Sequence, residues 1–182
     1  GGMNVTVMAA IQHSFKDILS YQNMTNRLNE YDGMDTHVYQ TVNIYPRLEK
    51  CAFRRYQKFA IKSFNQTVEK KGKPDAVFFN SSLWAAAALA EVLQQKNITF
   101  FVSEHLKEFM PSFEFSLFQT ETINRVYNKA TAIIVPSKAL QKSIIEKFPN
   151  HKNKTIHIPN PVDEDIFSPI EKKNNESTVN FI

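Results

Sequence analysis

The chain has 182 residues, of which 42% are hydrophobic and 22% charged, a composition that excludes a wholly disordered protein. Its one cysteine, Cys51, excludes a disulfide framework and a cysteine-ligated zinc cluster, and it fits a reducing cytoplasm. The formal net charge of +4 is compatible with an anionic ligand or an anionic membrane surface and selects neither.

Strand-like and helix-like hydrophobic patterns alternate along the chain. Short apolar runs predict strands at 5–11, 75–79, 98–102 and 132–135. Strands are also predicted at 37–42, after the turn signal Asp32-Gly33, and at 155–158. Helical periodicity predicts helices over 47–70, over 83–95, over a segment that ends near 130, and from 137 to about 148. The polar stretch 12–32 is predicted to be mostly loop, and the Phe-rich stretch 106–115 to be partly irregular.

This alternation predicts a single α/β domain with a doubly wound and mostly parallel sheet. Gly72 and Pro74 are predicted to end the first long helix, and Ser81 or Ser82 to cap the next one. The charged segment 172–178 has the composition of a linker, and 179–182 is predicted to begin a further strand.

Polar residues follow four of the predicted strands, at the ends where parallel strands meet. Because ligands of open parallel sheets bind beyond the carboxyl ends of the strands, the sequence predicts that these residues share one rim. The candidate rim residues are Asn80, Ser81, Ser82, Glu104, His105, Ser137 and Asn160.

His105 is the candidate with the clearest chemistry. An imidazole at a strand end can donate a hydrogen bond to a substrate hydroxyl or to a developing negative charge. Glu104 beside it has two candidate roles, acting on the imidazole electrostatically or orienting a sugar hydroxyl. Successive side chains on an extended backbone point opposite ways, so the two need not meet. The competing interpretation is an ordinary polar loop in which His105 bonds a backbone carbonyl.

Ser82 and Ser137 each precede a predicted helix directly after a strand, where backbone N–H groups could hold an anion. Plain N-capping is the competing and commoner use. His157 lies within a strand and is predicted to be a packed or edge residue, and the other histidines lack partners at metal-ligand spacing. The sequence therefore predicts no metal site, and the absence of a glycine-rich phosphate loop argues against a dinucleotide oxidoreductase or an NTPase.

Basic residues cluster on the first long helix. They are predicted to form a solvated helix face, with contact to anionic lipid head groups as the alternative and nucleic acid as a weaker one. The basic cluster consists of Arg47, Lys50, Arg54, Arg55, Lys58 and Lys62.

Seven N-x-S/T triplets are interpreted as a bias toward asparagine and not as glycan acceptors, because several fall at predicted element edges.

Five motifs follow one another along the chain between residues 72 and 169. This series resembles the N-terminal half of a family 4 glycosyltransferase with the GT-B fold, over roughly residues 72–169. The motifs are Gly72-Lys73-Pro74-Asp75, Asn80-Ser81-Ser82-Leu83-Trp84-Ala85, Ser103-Glu104-His105, the segment 132–140, and Ile158-Pro159-Asn160-Pro161-Val162-Asp163 followed by Phe167-Ser168-Pro169.

The resemblance implies a retaining, hexosyltransferase-type enzyme that transfers a sugar from a nucleotide-sugar donor to a glycan or lipid-linked acceptor in surface polysaccharide biosynthesis. It implies no metal and no other cofactor, and a cytoplasmic protein peripheral to the inner face of the membrane. In the GT-B fold two Rossmann-like domains face each other across a cleft, and the N-terminal one mainly holds the acceptor. His105 matches the family's histidine at the cleft, near the donor sugar and the leaving phosphate.

The sequence departs from the family pattern at three positions. Asn80 stands where the family usually has His, and Ser103 replaces the usual Thr. Pro161 replaces the common Gly after Asn160. Proline fixes φ and removes an N–H donor, so a backbone contact from that N–H would be lost.

The resemblance implies that residues 1–169 are the N-terminal domain and 170–182 the linker and start of a C-terminal donor-binding domain. It also implies that a first strand and helix lie before Met3; in the alternative, Met3 starts the native chain and the strand at 5–11 is the first. The chain alone is expected to be inactive, because half of the donor site would be missing.

Two other functions compete with this interpretation. A flavodoxin-like, non-catalytic ligand-binding module would need an acidic cluster or phosphate loop at the end of the first strand, and Gln12-His13-Ser14 supplies neither. A sugar-nucleotide epimerase of the same fold would need acidic and histidine residues that have no clear positions in the sequence.

Overall fold

The computed structural model describes residues 4–13, 36–42, 48–105, 109 and 114–161. All six predicted strands and all four predicted helices are present, with ends within two residues of those predicted. The strands are β1 (Val7–His13), β2 (Thr36–Val42), β3 (Ala76–Asn80), β4 (Thr99–Ser103), β5 (Ala132–Val135) and β6 (Thr155–His157). The helices are α1 (Glu49–Lys71), α2 (Leu83–Gln95), α3 (Leu117–Lys129) and α4 (Lys138–Lys147).

The sequence did not predict the 3₁₀ helix at Pro149–Lys154, which connects α4 to β6. Most of the predicted loop at 12–32 and of the Phe-rich stretch at 106–115 lies outside the described residues. So do the predicted linker at 172–178 and the strand start at 179–182.

Every described strand pair is parallel, which confirms the prediction of an α/β fold with parallel strands. The strands β3, β4, β5 and β6 form a four-stranded sheet in chain order, and β1 pairs with β2. The sequence predicted a single sheet, whereas the described strands form two. Local hydrophobic patterns specify which segments are strands but not which strands become neighbours, and this explains the difference.

The centre of the core is α2, which packs against α1, α3 and the four-stranded sheet. Ala86, Ala88 and Leu89 on this helix are each 0% exposed. Because alanine has almost no side chain, the neighbouring helices approach α2 closely while its good helix propensity is retained. From the sheet, the rings of Phe79 and Phe100 complete this core in an edge-to-face pair with centroids 5.8 Å apart.

The end of α1 and the start of α2 are determined by different contacts. Gly72 ends α1 with φ of +89°, a left-handed conformation that favours glycine, as predicted. Ser82 is the N-cap residue of α2, but its side chain makes no capping hydrogen bond. The prediction of a serine side-chain cap is therefore wrong for α2, whose start is held instead by the bond from Ala86 N to Ser82 O at 3.0 Å.

The end of α2 is a Schellman turn with asparagine in the left-handed position. Asn97 has φ of +51°. Its N–H bonds the carbonyl of Gln94 at 3.0 Å, and the N–H of Ile98 bonds the carbonyl of Leu93 at 2.9 Å. Leu93 and Ile98 are both buried, so the hydrophobic contact that accompanies this motif has its two partners in place.

A lysine from the 3₁₀ helix stabilises the end of α3. Lys154 Nζ donates hydrogen bonds to the carbonyl oxygens of Tyr127, Asn128 and Ala130 at 3.2, 2.8 and 3.0 Å. A positive charge at a helix C-terminus interacts favourably with the helix dipole and satisfies carbonyls that have no partner within the helix. This contact ties the segment before β6 to the helix before β5.

No helix in the described part of the chain combines the length and the hydrophobicity required to cross a lipid bilayer.

Candidate functional site

The carboxyl ends of β3, β4, β5 and β6 lie along one edge of the sheet. The register places Asn80 beside Ser103 and Ser103 beside Ile134. On the last strand His157 pairs with Val135, and the N–H of Ile158 bonds the Val135 carbonyl at 3.0 Å. The residues that follow these strand ends therefore share one rim, as the parallel topology requires. The rim residues from the sequence are Asn80, Ser81, Ser82, Glu104, His105, Ser137 and Asn160.

The end of β3 is held against β4 by a backbone bond from Ser81 N to Ser103 O of 2.9 Å. Ser81 has φ of +47°, a left-handed conformation that costs energy in a residue with a Cβ atom. Asn80 is exposed, and Ser81 and Ser82 are half-buried. Strained backbone of this kind is found at binding sites more often than elsewhere, and here it forms the turn from the rim into α2.

His105 is exposed on the rim, and its Nε2 atom lies 2.7 Å from Ser103 Oγ. Ser103 itself is 5% exposed. Residues 103 and 105 are two apart on extended backbone, so their side chains leave the chain on the same side. The imidazole thus bonds a side-chain hydroxyl, not the backbone carbonyl of the ordinary-loop interpretation. Its proposed contact with a substrate stays a prediction.

Glu104 points the opposite way from His105 and lies in the core, 1% exposed. Its Oε1 atom accepts a hydrogen bond from the Tyr127 hydroxyl at 3.2 Å, and its N–H bonds the Ile134 carbonyl at 2.9 Å. Burial, followed by the charge and the hydrogen bond of Glu104, raises the pKa of Tyr127 well above its usual value. The sequence analysis placed Glu104 on the rim with the exposed candidates, whereas the structure buries its side chain beneath the rim, because successive side chains on extended backbone point opposite ways. There it fixes the backbone that leads to His105.

Ser137 occupies the N-cap position of α4, and its side-chain oxygen accepts a hydrogen bond from Leu140 N at 3.1 Å. This is the plain capping use that the sequence analysis set against anion binding. Asn160 is exposed at the far side of the rim, beyond β6. Val162 and Asp163 of the last motif lie outside the described residues.

Two further histidines are structural in the described part of the chain. His157 is half-buried, with Nε2 3.3 Å from the carbonyl of Pro136, in keeping with its prediction as a packed or edge residue. His151 is buried, with Nε2 3.2 Å from Asn124 Oδ1. Burial, and then the charge of Lys154, lowers the pKa of His151. Among the described residues, no three His, Cys, Asp or Glu side chains are grouped as metal ligands would be.

Sequence reasoning missed the supporting residues of the rim. It treated Ser103 only as a replacement for threonine, although the spacing of two residues on a strand was a usable signal for its contact with His105. It gave no role to Tyr127, whose contact with Glu104 depends on how α3 packs on the sheet.

The basic face of α1 is exposed at Lys50, Arg54, Arg55, Lys58 and Lys62, and Arg47 of the same cluster lies outside the described residues. A shallow groove of about 570 Å³ runs along this helix and is lined by α1 residues alone, namely Lys58, Ile61, Lys62, Asn65, Gln66 and Glu69. No rim residue lines it. The groove and the rim are therefore separate features.

The profile of Glycosyltransferase Family 4 matches residues 21–166, most of the chain, and so begins well before the motifs found at 72–169. Among solved structures, the chain is similar to a UDP-N-acetylglucosamine 2-epimerase with 12% sequence identity and a TM-score of 0.41, over 80% of this chain and 46% of that one. The chain thus spans less than half of that structure. No curated protein sequence shows significant similarity. On the family match, the chain belongs to Glycosyltransferase Family 4.

Proposed function

We propose that the full protein transfers a hexose from a nucleotide-sugar donor to a glycan or lipid-linked acceptor, with retention of configuration, in surface polysaccharide biosynthesis. Family membership supports glycosyl transfer. The single observation that carries the site is His105, exposed at the end of β4 and hydrogen-bonded to Ser103. The chain described here supplies the acceptor side of the cleft.

In this reaction the bond between the anomeric carbon and the phosphate oxygen breaks, and its electron pair stays on the leaving phosphate. The acceptor hydroxyl forms the new bond to carbon, and its proton passes to the phosphate that leaves. A hydrogen bond from the His105 imidazole to the oxygen on which charge develops lowers the barrier, because it is stronger in the transition state than in the ground state. The reaction as proposed requires no metal and no cofactor.

The other rim residues are proposed to bind sugar hydroxyls. Asn80 and Asn160 are exposed and offer amide donors and acceptors. Ser81 and Ser82 offer hydroxyls at the turn from β3 into α2. Glu104 and Ser137 act by holding the rim, since their side chains bond Tyr127 and the Leu140 N–H.

The test is a screen of the full-length protein against UDP- and GDP-hexoses, with a lipid extract as acceptor and release of the nucleoside diphosphate as the readout. We expect acceptor-dependent release with one donor. Failure of a folded full-length protein to release diphosphate from any donor contradicts the proposal. The 182-residue chain alone is expected to bind nucleotide sugars weakly and to transfer none, so tight binding in calorimetry contradicts the assignment of the donor site to a second domain.

We propose further that the protein works at the cytoplasmic face of the membrane, with the basic face of α1 against anionic lipid. Arg54, Lys58 and Lys62 recur every four residues on exposed helix, a spacing that places them in one stripe of charge. Cosedimentation with vesicles containing phosphatidylglycerol should fall when these three become Glu, and should persist with Lys142→Glu and Lys152→Glu as controls. If the α1 variant and the control variants bind the vesicles equally, the proposed contact between the basic face of α1 and lipid is contradicted.

A further inference from the structure

We infer that Ser103 is the residue that positions His105, an inference that rests on the proposed function. Ser103 Oγ lies 2.7 Å from His105 Nε2, a short hydrogen bond between an almost buried hydroxyl and an exposed ring. The bond occupies one ring nitrogen, Nε2, and we assign the contact with the substrate to Nδ1. Without it, the exposed imidazole would rotate about its χ angles.

Ser103 is suited to this role because its own position is fixed. It is the last residue of β4, and it pairs with Asn80 on one side and with Ile134 on the other. Its carbonyl accepts a bond from Ser81 N at 2.9 Å. Because Ser103 lies on a central strand, its side chain has a fixed position, and the hydrogen bond restrains His105 in turn, as an effective positioning residue must.

The residue between the two is fixed as well. The Glu104 N–H bonds the Ile134 carbonyl at 2.9 Å, and its carboxylate bonds Tyr127 in the core. The backbone therefore reaches His105 in one conformation, and the freedom that remains is the rotation of the imidazole itself. The Ser103 hydroxyl restrains that rotation, and we assign it this function in preference to a structural one.

The chemistry of the bond specifies which substitutions preserve it. Threonine keeps the hydroxyl and differs by one methyl group, whereas alanine removes the hydroxyl and leaves the backbone pairing intact. Ser116→Ala is a matched control, because the Ser116 hydroxyl also serves local structure, as the capping box of α3, and does not contact His105.

The first test follows the His105 ring in the 182-residue chain by long-range ¹H–¹⁵N NMR. We expect Ser103→Ala to change the Nε2 shift and the tautomer ratio of His105, Ser103→Thr to restore both, and Ser116→Ala to leave both unchanged. Unchanged ring signals in folded Ser103→Ala overturn the inference. Should that variant not fold, Ser103→Cys provides the comparison, because its thiol is a weaker hydrogen-bonding group of similar size.

The second test uses the full-length enzyme. We expect Ser103→Ala to lower kcat roughly tenfold, the scale set by losing one positioning hydrogen bond, with little change in KM. Ser103→Thr should recover most of that loss. In a His105→Ala background, Ser103→Ala should cause no further fall in kcat, because the effects of substitutions at coupled residues are not additive. An equal loss in both backgrounds overturns the inference. An inactive wild-type enzyme contradicts the proposed function, while the NMR result still decides whether Ser103 holds the ring.

Discussion

Tyr127 donates a hydrogen bond of 3.2 Å from its hydroxyl to Oε1 of Glu104, in the core and one residue before the exposed His105. Tyr127 is 0% exposed and Glu104 1% exposed. Burying a carboxylate costs free energy unless it is hydrogen-bonded, so the bond to Tyr127 is favourable. It attaches the backbone that leads to His105 to α3. The rim is thereby supported from the interior by a helix that contributes none of the exposed candidates.

Replacing Tyr127 with Phe should destabilise the protein by about 1–3 kcal/mol, because a buried carboxylate loses a hydrogen-bond donor. The free energy of unfolding from urea denaturation measures this. Tyr39→Phe is the matched control, since the Tyr39 hydroxyl bonds Thr67 at 2.7 Å at a half-buried site and its loss should cost less. A Tyr127→Phe protein as stable as the wild type would show that the bond contributes nothing.

The raised pKa of Tyr127 makes the stability depend on pH in the alkaline range. Above the usual tyrosine pKa of about 10, the unfolded chain loses this proton and the folded chain keeps it. The stabilisation is thus complete below that pH and is lost as the pH rises toward the folded pKa. We expect a shallower alkaline loss in Tyr127→Phe than in the wild type. Burial also raises the pKa of Tyr56, which contributes equally to both proteins, so parallel curves would refute the prediction.

Replacing Lys154 with Met should destabilise the protein by about 1–2 kcal/mol, because three carbonyl oxygens at the end of α3 lose their donor. It should also raise the pKa of His151, since the charge of Lys154 contributes to the lowering. Thermal unfolding and a histidine NMR titration measure the two effects. Lys152→Met, at an exposed position of the same 3₁₀ helix, should produce neither. Equal effects of the two substitutions would disprove the role of the carbonyl contacts.

The order of elements was predictable because the strands β3, β4 and β5 coincide with short, mostly apolar runs between helical patterns. The run that became β5 was predicted without error at 132–135, since Pro136 follows it directly. The location of the rim followed from the parallel topology alone. The pairing of Ser103 with His105 was within reach of the same reasoning, because it needs only the two-residue period of a strand.

Other features depend on contacts that no local pattern contains. Glu104 and Tyr127 are 23 residues apart, and Lys154 reaches carbonyls 24 to 27 residues before it. Such pairs are decided by how α3 packs on the sheet. The division of the described strands into two sheets was not predictable for a similar reason, because the hydrophobic pattern of a strand does not specify which strand lies beside it.

The left-handed Asn97 provides a prediction on stability alone. Asn97→Gly should leave the stability unchanged or raise it by up to about 1 kcal/mol, because glycine adopts this φ without strain. Asn97→Val should lower it by about 1–2 kcal/mol, since a β-branched residue is strained there. In urea denaturation, the midpoint of Asn97→Gly should therefore equal or exceed the wild-type value, and the midpoint of Asn97→Val should lie below it. A valine variant as stable as the glycine variant would contradict the Schellman assignment.

His105→Ala should lower the turnover of the full-length enzyme by roughly 10- to 1,000-fold, the scale for removing a hydrogen-bond donor aimed at developing charge. The loss should be in kcat and not in KM, because the bond is strongest in the transition state. Asn97→Gly is the control at the opposite end of β4, and it should keep normal turnover. The His105→Ala protein should still fold, since the His105 side chain is exposed. Near-normal kcat in this variant would remove His105 from the reaction and leave the rim with a binding role only.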